Sequence, residues 1–520
     1  MKCWKPLRIC KTTGNAGRVA SVEATMSRTS NQYSSTGKRH SFLRSCVALV
    51  AAVTLVGAPA LAQGPNLPDF GSPADSVLSK SREMQLGRGV MLQLRNAGAI
   101  IDDPQITEYL RLLGSQLGQH ANDGDFSFEF FVVGENTINA FAMPGGFIGV
   151  NAGLILASDN ESELAGVVAH EVSHVTQRHI ARSLYDSQKT SIMSVAAMLA
   201  AILLGAAGDV SGQALGGLVT GAQSAAIQRQ INFTRSHEYE ADRIGMDVLA
   251  RAGFDPNGMA SFFEKLSRRT SASAQVVPEM LRTHPVSTGR ISEARGRARQ
   301  LAAVNHADSI GYGLAKARLR VLMAQRPEDA VAAFAHLEDS DEPADQYGRA
   351  LALTRVGRDD EAESIFRKLS ADHPNVIAFR IAQAEALMAN GLERPAIDIY
   401  PEADALSPRN VPLVISYAES LIKSGRPDVA HEILLDLLNN VPPKPEQIQL
   451  IARAANAEGD TINAYHYMSE YYASIGDLRL AISQLQLALE LPKLSAIERA
   501  RFLARMAQFR DYLPDDDRRR

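Results

Sequence analysis

Residues 163–180 read ELAGVVAHEVSHVTQRHI, with His170 and His174 four apart and Glu171 between them. The fold turns on whether these histidines face one metal ion or are chance neighbours. On a helix, residues four apart differ by only about 40° and share a face. Two imidazoles so placed can bind one Zn2+ at roughly 2.0–2.1 Å each. Glu171 is placed to take a proton from an attacking water. Leu164, Val168 and Val172 form a core stripe that predicts helix. Ser158 and Glu161 have capping-box spacing at its start.

A catalytic zinc needs a third protein ligand and one open position. SHEYEADRIGMDVLARAG (236–253) offers Glu238 and Asp242, again four apart on one helical face. Glu240 lies about 200° round from Glu238, so both cannot hold one ion. Glu238 is the expected ligand, because Asp242 one turn on can then accept the outer N–H of a zinc histidine and fix its tautomer. His179, five residues past His174, falls about 140° round a continuous helix and is expected to be exposed.

The 520 residues suffice for two or three domains. Residues 1–62 hold nine of the 54 Lys/Arg and one of the 58 Asp/Glu, so the remainder is acidic by about twelve charges. An acidic body argues against nucleic acid as a partner. RHSFLRSC followed by VALVAAVTLVGAPALA reads as an export signal, with a small-residue cleavage site at Ala60-Leu61-Ala62 and a possible start at Met26. Cys3, Cys10 and Cys46 all lie in that leader. The body therefore offers neither disulfide nor thiolate site, and any zinc site there uses His and carboxylate. Residues 63–76 read as a linker. Between 77 and 300 a mixed region follows. DDPQITEYLRLLGSQLG predicts helix. Phe126, Phe128, Phe130 and Val132 alternate on one face of a half-buried strand. GGFIGVNAGLIL reads as a second extended stretch.

From 305 to 515 the chain is helical and repeats. Gly357, Gly391, Gly425 and Gly459 are spaced by 34, Ala362, Ala396, Ala430 and Ala464 follow by five, and Pro374, Pro408 and Pro442 follow the first three by seventeen. Gly476 with Ala481 continues the pattern out of phase, and AQRPEDAVAAF reads as a degenerate first repeat. Gly turns one helix tightly into the next, Ala lets the pair pack closely and Pro stops the second helix. The period is that of the tetratricopeptide repeat. Such arrays form curved surfaces that bind partners.

HEVSH, EYEAD, NAFAMPGGFIGVNAGLI (139–155) and LRTHPVSTGRI (281–291) occur in the order found in the M48 metallopeptidases, which residues 75–300 resemble. With the leader and the repeats, the whole chain resembles a periplasmic group of that family that assists outer-membrane β-barrel assembly. The resemblance implies an α+β zincin-like metalloprotease domain, mostly helical with a small sheet, followed by an all-α tetratricopeptide-repeat solenoid. It implies one Zn2+ per chain held by His170, His174 and Glu238, with Glu171 as general base and acid, Asp242 behind a ligand and no covalent intermediate. His284 would stabilise the oxyanion or take the fourth coordination position and hold the enzyme off. Arg290 would support the site. Gly146, Phe147, Ile148, Gly149 and Val150 would form an edge strand that pairs with the substrate. The implied work is degradation of unfolded or misassembled envelope proteins, with the barrel-assembly machinery as partner. The group's repeat domain can hold a cysteine pair, which this chain lacks outside the leader.

IMSVAAMLAAILLGAAG (192–208), within a hairpin at 190–228, has an apolar run of about 16 residues, short of the roughly 20 that span a bilayer. It reads as a helical hairpin over the active site that can touch the membrane surface. Two other readings remain: a chaperone or adaptor whose protease is gated shut, and a protease embedded in the membrane.

Overall fold

The computed structural model describes residues 73–121, 127–187, 235–272, 279–301 and 304–513. The export signal with Met26 and the three cysteines, most of the linker, Phe126 and the 190–228 hairpin lie outside the described residues. The described residues all fall in one compact unit. No described helix is long and apolar enough to cross a membrane.

Helices α1 (Lys80–Asn96) and α2 (Pro104–Gly118) precede the strands β1 (Glu129–Val133), β2 (Ala140–Ala142) and β3 (Phe147–Asn151). Asp103 caps α2, accepting from the backbone of Gln105 and Ile106. The sheet order is β1-β3-β2, with β1 parallel and β2 antiparallel to β3. Phe130 and Val132 pack into the main core under α2, while Phe131 and Val133 pack with Val90, Met91 and Leu94 of α1. Both faces of β1 are therefore covered, where the alternation predicted one. The second extended stretch ends at Asn151, and α3 (Ala152–Ala157) takes its remainder.

Helix α4 (Glu161–Thr176) carries HEVSH. Its cap is Asn160, whose side chain accepts from Glu163 N, not the expected Ser158. The Ser158 hydroxyl is buried and already bonded to Ile155 O and the Tyr312 hydroxyl. All sixteen residues of α4 are buried, so it is the central helix and not one with a single core stripe. Around it lie α5 (His179–Ser187), α6 (Arg235–Arg251), α7 (Asn257–Ala272), α8 (Met280–Thr283) and α9 (Thr288–Ala298). Gly245 of α6 faces the α4 backbone, and a Cβ there would sit 3.1 Å from His170 N. This close approach brings the acids of α6 to the histidines of α4.

Twelve helices follow: α10 (Ile310–Leu322), α11 (Pro327–Phe334), α12 (Pro343–Arg355), α13 (Asp359–Asp372), α14 (Ile377–Ala389), α15 (Glu393–Leu406), α16 (Val411–Lys423), α17 (Pro427–Asn440), α18 (Pro445–Glu458), α19 (Thr461–Ile475), α20 (Leu478–Leu489) and α21 (Ala496–Asp511). The four period-34 glycines have φ of +71° to +91°. Each is followed by an N–H that bonds five residues back: Arg358 to Leu353, Leu392 to Leu387, Arg426 to Leu421 and Asp460 to Ala455. That is the Schellman helix stop, which needs the left-handed residue. Ala362, Ala396 and Ala430 are fully buried in the helix pairs they join.

The array is not tethered at a distance. Tyr312, Ala315 and Leu319 of α10 belong to the same apolar core as α2 and α4. Glu161 accepts from the Tyr109 and Ser309 hydroxyls and from Ser309 N, and Arg318 Nε bonds Asp103 Oδ2 at 2.7 Å.

Candidate metal centre and active site

Helix α4 places His170 and His174 with their Nε2 atoms 3.0 Å apart. From α6, Glu238 Oε2 lies 3.6 Å from His170 Nε2, and Oε1 lies 3.5 Å from His174 Nε2. His284, which ends α8, brings Nδ1 within 3.3 Å of His170 Nε2 and 3.0 Å of Glu238 Oε1. One donor atom from each of the four lies within 4.8 Å of the others, and all four residues are buried. Asp242 Oδ1 stands 3.0 Å behind His170 Nδ1. The i, i+4 spacing on two facing helices thus converges on one point.

The pocket suits a cation. Both Glu171 oxygens are buried with no hydrogen-bond partner among the described residues, and His284 Nε2 stands 3.5 Å from Oε1, a state that water or an ion would relieve. Burial alone would push the His284 imidazole down, but the carboxylates of Glu238 and Glu171 outweigh it and lift it to about 9. Burial, aided by the neighbouring histidines, holds His174 well below its usual range, which leaves its ring neutral and able to ligate. Burial would raise Glu238, yet His284, His170 and Arg290 lower it. Burial is also overcome at Asp242, lowered by the Arg290 guanidinium and by His170 beside it. Two imidazoles and a carboxylate, with the His284 imidazole beside them, make a donor set that fits a divalent ion.

Arg290 has a larger part than its sequence suggests. Its guanidinium is buried, pairs Nε and Nη2 with both Asp242 oxygens at 2.6 and 2.7 Å, and sets Nη1 2.6 Å from Glu238 Oε2 and 2.9 Å from Pro285 O. It therefore ties α6 to the turn that carries His284.

Two expectations are corrected. The stretch Gly146–Val150 is not an edge. Phe147, Ile148, Gly149 and Val150 belong to central β3, which pairs with β1 on one side and β2 on the other, and Gly146 O accepts from Glu129 N. Its backbone groups are spent within the sheet, and all five residues are buried. His179, expected at the surface, is fully buried with Nδ1 2.8 Å from His174 Nδ1. The chain does not continue α4 to that point. Arg178 takes φ +51°, and α5 starts afresh at His179, which turns the imidazole back toward the site. Burial and the stacked His237 push this ring down to about 4. Sequence reasoning missed His179 and also Glu240, whose signal was its alternation with Glu238 and Asp242 in EYEAD.

Comparison with known proteins agrees with this geometry. The model of peptidase family M48 matches residues 103–298. The beta-barrel assembly-enhancing protease of Escherichia coli K12 is 36% identical over 468 residues, covering 89% of this chain and 95% of that one. A putative beta-barrel assembly-enhancing protease of Vibrio cholerae is 35% identical over 86% of this chain and 94% of that one. The metalloprotease LoiP of Escherichia coli K12 is 31% identical over 200 residues, 37% of this chain and 72% of that one. The match to the family model and the full-length relatives, with the His/Glu cluster buried where the family model lies, show that this chain is a metallopeptidase of family M48.

Proposed function

We propose that the chain is a zinc endopeptidase of the periplasm that cleaves exposed segments of misfolded or stalled outer-membrane proteins and assists their assembly. The carrying observation is the buried convergence of His170, His174 and Glu238 beside the Glu171 carboxylate, which has no hydrogen-bond partner among the described residues. The two Nε2 atoms and the Glu238 carboxylate would hold one ion, and a His2Glu set favours zinc. When bound, zinc supplies Lewis-acid polarisation of the scissile carbonyl and of the attacking water. Glu171 takes the proton from that water and passes it to the leaving amine. Arg290 and Asp242 keep Glu238 and His170 in place. Because β3 is enclosed, an extended substrate adds instead to β2, which pairs with no strand on its other side among the described residues.

The export-type leader supports a periplasmic location, and the names of the full-length relatives support a role in barrel assembly. The repeat array suits recruitment of the barrel-assembly machinery and its clients. Contact of the 190–228 hairpin with the membrane surface belongs to the same reading. Cleavage of casein by purified residues 63–520, with metal content measured beside Glu171→Gln, tests it. About one zinc per chain with cleavage abolished in the variant is expected. A wild-type protein that binds no metal would sink the reading.

One observation favours a gated enzyme that also works as a chaperone or adaptor. His284 Nδ1 stands among the donors, 3.0 Å from Glu238, where it can take the open position. Faster cleavage by His284→Ala marks a latch, and slower cleavage marks an oxyanion role. Assembly activity retained in Glu171→Gln would favour the chaperone.

A further inference from the structure

We propose that His179 and Glu240 form a positioning chain behind His174, so that α6 supplies the third ligand and also the backing of both ligand histidines. The inference rests on the metal reading above. A neutral imidazole has one N–H and one acceptor nitrogen. If His174 ligates through Nε2, its proton sits on Nδ1, and that N–H needs an acceptor. His174 is buried, and His179 Nδ1 lies 2.8 Å away. His179 accepts there only when its own proton is on Nε2. That atom faces Glu240 Oε2 at 3.2 Å, ready to donate. Arg182 Nη1 holds the same oxygen at 2.9 Å. His237 stacks on the His179 ring, centroids 4.4 Å apart and planes 12° apart, which fixes its plane.

The carboxylate thus sets the tautomer of His179, and His179 sets that of His174. For His170 the same task falls directly to Asp242 at 3.0 Å. The three acids of EYEAD then have three tasks on one metal: Glu238 ligates, Asp242 backs His170, and Glu240 backs His174 through one histidine. Glu240 can sit on another face from Glu238 because the intervening imidazole spans the gap. The Glu240 side chain is 35% exposed while that of Asp242 is 8% exposed, so the His174 branch ends near solvent. Partners of this kind are worth about 10–100-fold in metal affinity.

The test compares zinc affinity, measured by competition with a chelating dye, in the full mature chain and in His179→Phe, His179→Asn, Glu240→Leu and the double variants. Melting of the chelator-treated proteins and the visible spectrum of the Co2+-loaded forms are recorded alongside. His179→Phe keeps an aromatic ring but removes both nitrogens. We expect it to weaken zinc about 10–100-fold, to alter the Co2+ spectrum and to leave metal-free melting in place. Glu240→Leu should weaken zinc too, and adding it to His179→Phe should cost nothing more. Asparagine sets an acceptor oxygen near the old Nδ1 position. His179→Asn should therefore recover most of the affinity and lose the sensitivity to Glu240→Leu. Wild-type affinity in His179→Phe, additive losses, or losses matched by a lower metal-free melting temperature would each overturn the chain while the metal reading stands. A wild-type protein that binds no zinc would overturn both.

Discussion

Replacing Arg290 with Met probes how the acids of the centre are held. Met keeps much of the apolar contact with Phe263, over whose ring the guanidinium lies at 5.0 Å. It removes the cation shared by Glu238 and Asp242, both buried. Taking one partner from a buried ion pair typically costs about 3–5 kcal/mol, because the remaining charge is left uncompensated. Here two carboxylates lose the same partner, so the upper half of that range is expected without metal. A cation bound at Glu238 offsets part of the loss. Backbone hydrogen exchange of α6 reads this locally, without requiring the whole chain to unfold in one step. At about 1.4 kcal/mol per factor of ten, exchange in α6 should accelerate by about three powers of ten or slightly more in chelator, and by less in zinc. Arg290→Lys should recover little, since one ammonium cannot reproduce a fork bonded to both Asp242 oxygens, Glu238 and Pro285 O. Acceleration below tenfold in chelator, or full recovery by Lys, would refute the view that this guanidinium holds the site together.

Other regions make separate predictions. Gly391→Ala and Gly425→Ala put a Cβ into open space at φ +72° and +71°, so each should cost only the left-handed strain of about 1–2 kcal/mol in thermal melting. Gly348→Ala should cost more, since its Cβ would meet the Phe334 ring at 2.3 Å. Burial, with Arg501 and Arg505 assisting, depresses His466 to about 4. Its contribution is then complete above about pH 6.5 and is lost as pH falls toward 4, about 3 kcal/mol in all. Urea unfolding of His466→Gln should accordingly change less with pH than wild type over that window. Cutting the chain after Leu301 strips Glu161 of Ser309 and Asp103 of Arg318 and exposes the sites of Tyr312 and Leu319. The fragment should show no cooperative melt, and a melt within a few degrees of the full chain would count against that.

What the sequence revealed follows from how local each signal is. The i, i+4 pairs His170/His174 and Glu238/Asp242 share a face whatever surrounds them, so their helices could be read directly. The 34-residue glycines were legible because a left-handed helix stop strongly prefers that residue. Strand order was not legible, because GGFIGV reads the same with one neighbour or two, and only its pairing with both β1 and β2 makes it central. The run Phe130-Phe131-Val132-Val133 did carry a signal of two covered faces, since apolar residues occupy both sides of the alternation. His179 was misplaced by assuming that α4 runs on past Thr176. Nothing in Gln177-Arg178 announces a break, because Arg at positive φ has no sequence signature.

That unforeseen break explains how the ligand helix is held. At its start, Glu161 N donates to Asp308 Oδ1 at 2.7 Å, a carboxylate where the helix dipole favours one. The Glu161 side chain gathers Tyr109, Ser309 and His306. At its end, Arg178 turns out of the helix and binds Leu78 O, Glu83 and Asp75 in the segment ahead of the sheet. His170 and His174 lie between these two anchors, one built from residues that lead into the repeats and the other from the start of α1 and the segment before it. A ligand pair must hold its geometry to within a fraction of an ångström for metal and substrate alike, and a helix pinned at both ends meets that demand better than one held by its apolar stripe. The positive φ at Arg178 therefore serves the proposed site: it stops the helix, frees the guanidinium for the rear anchor and turns the next residue, His179, toward His174.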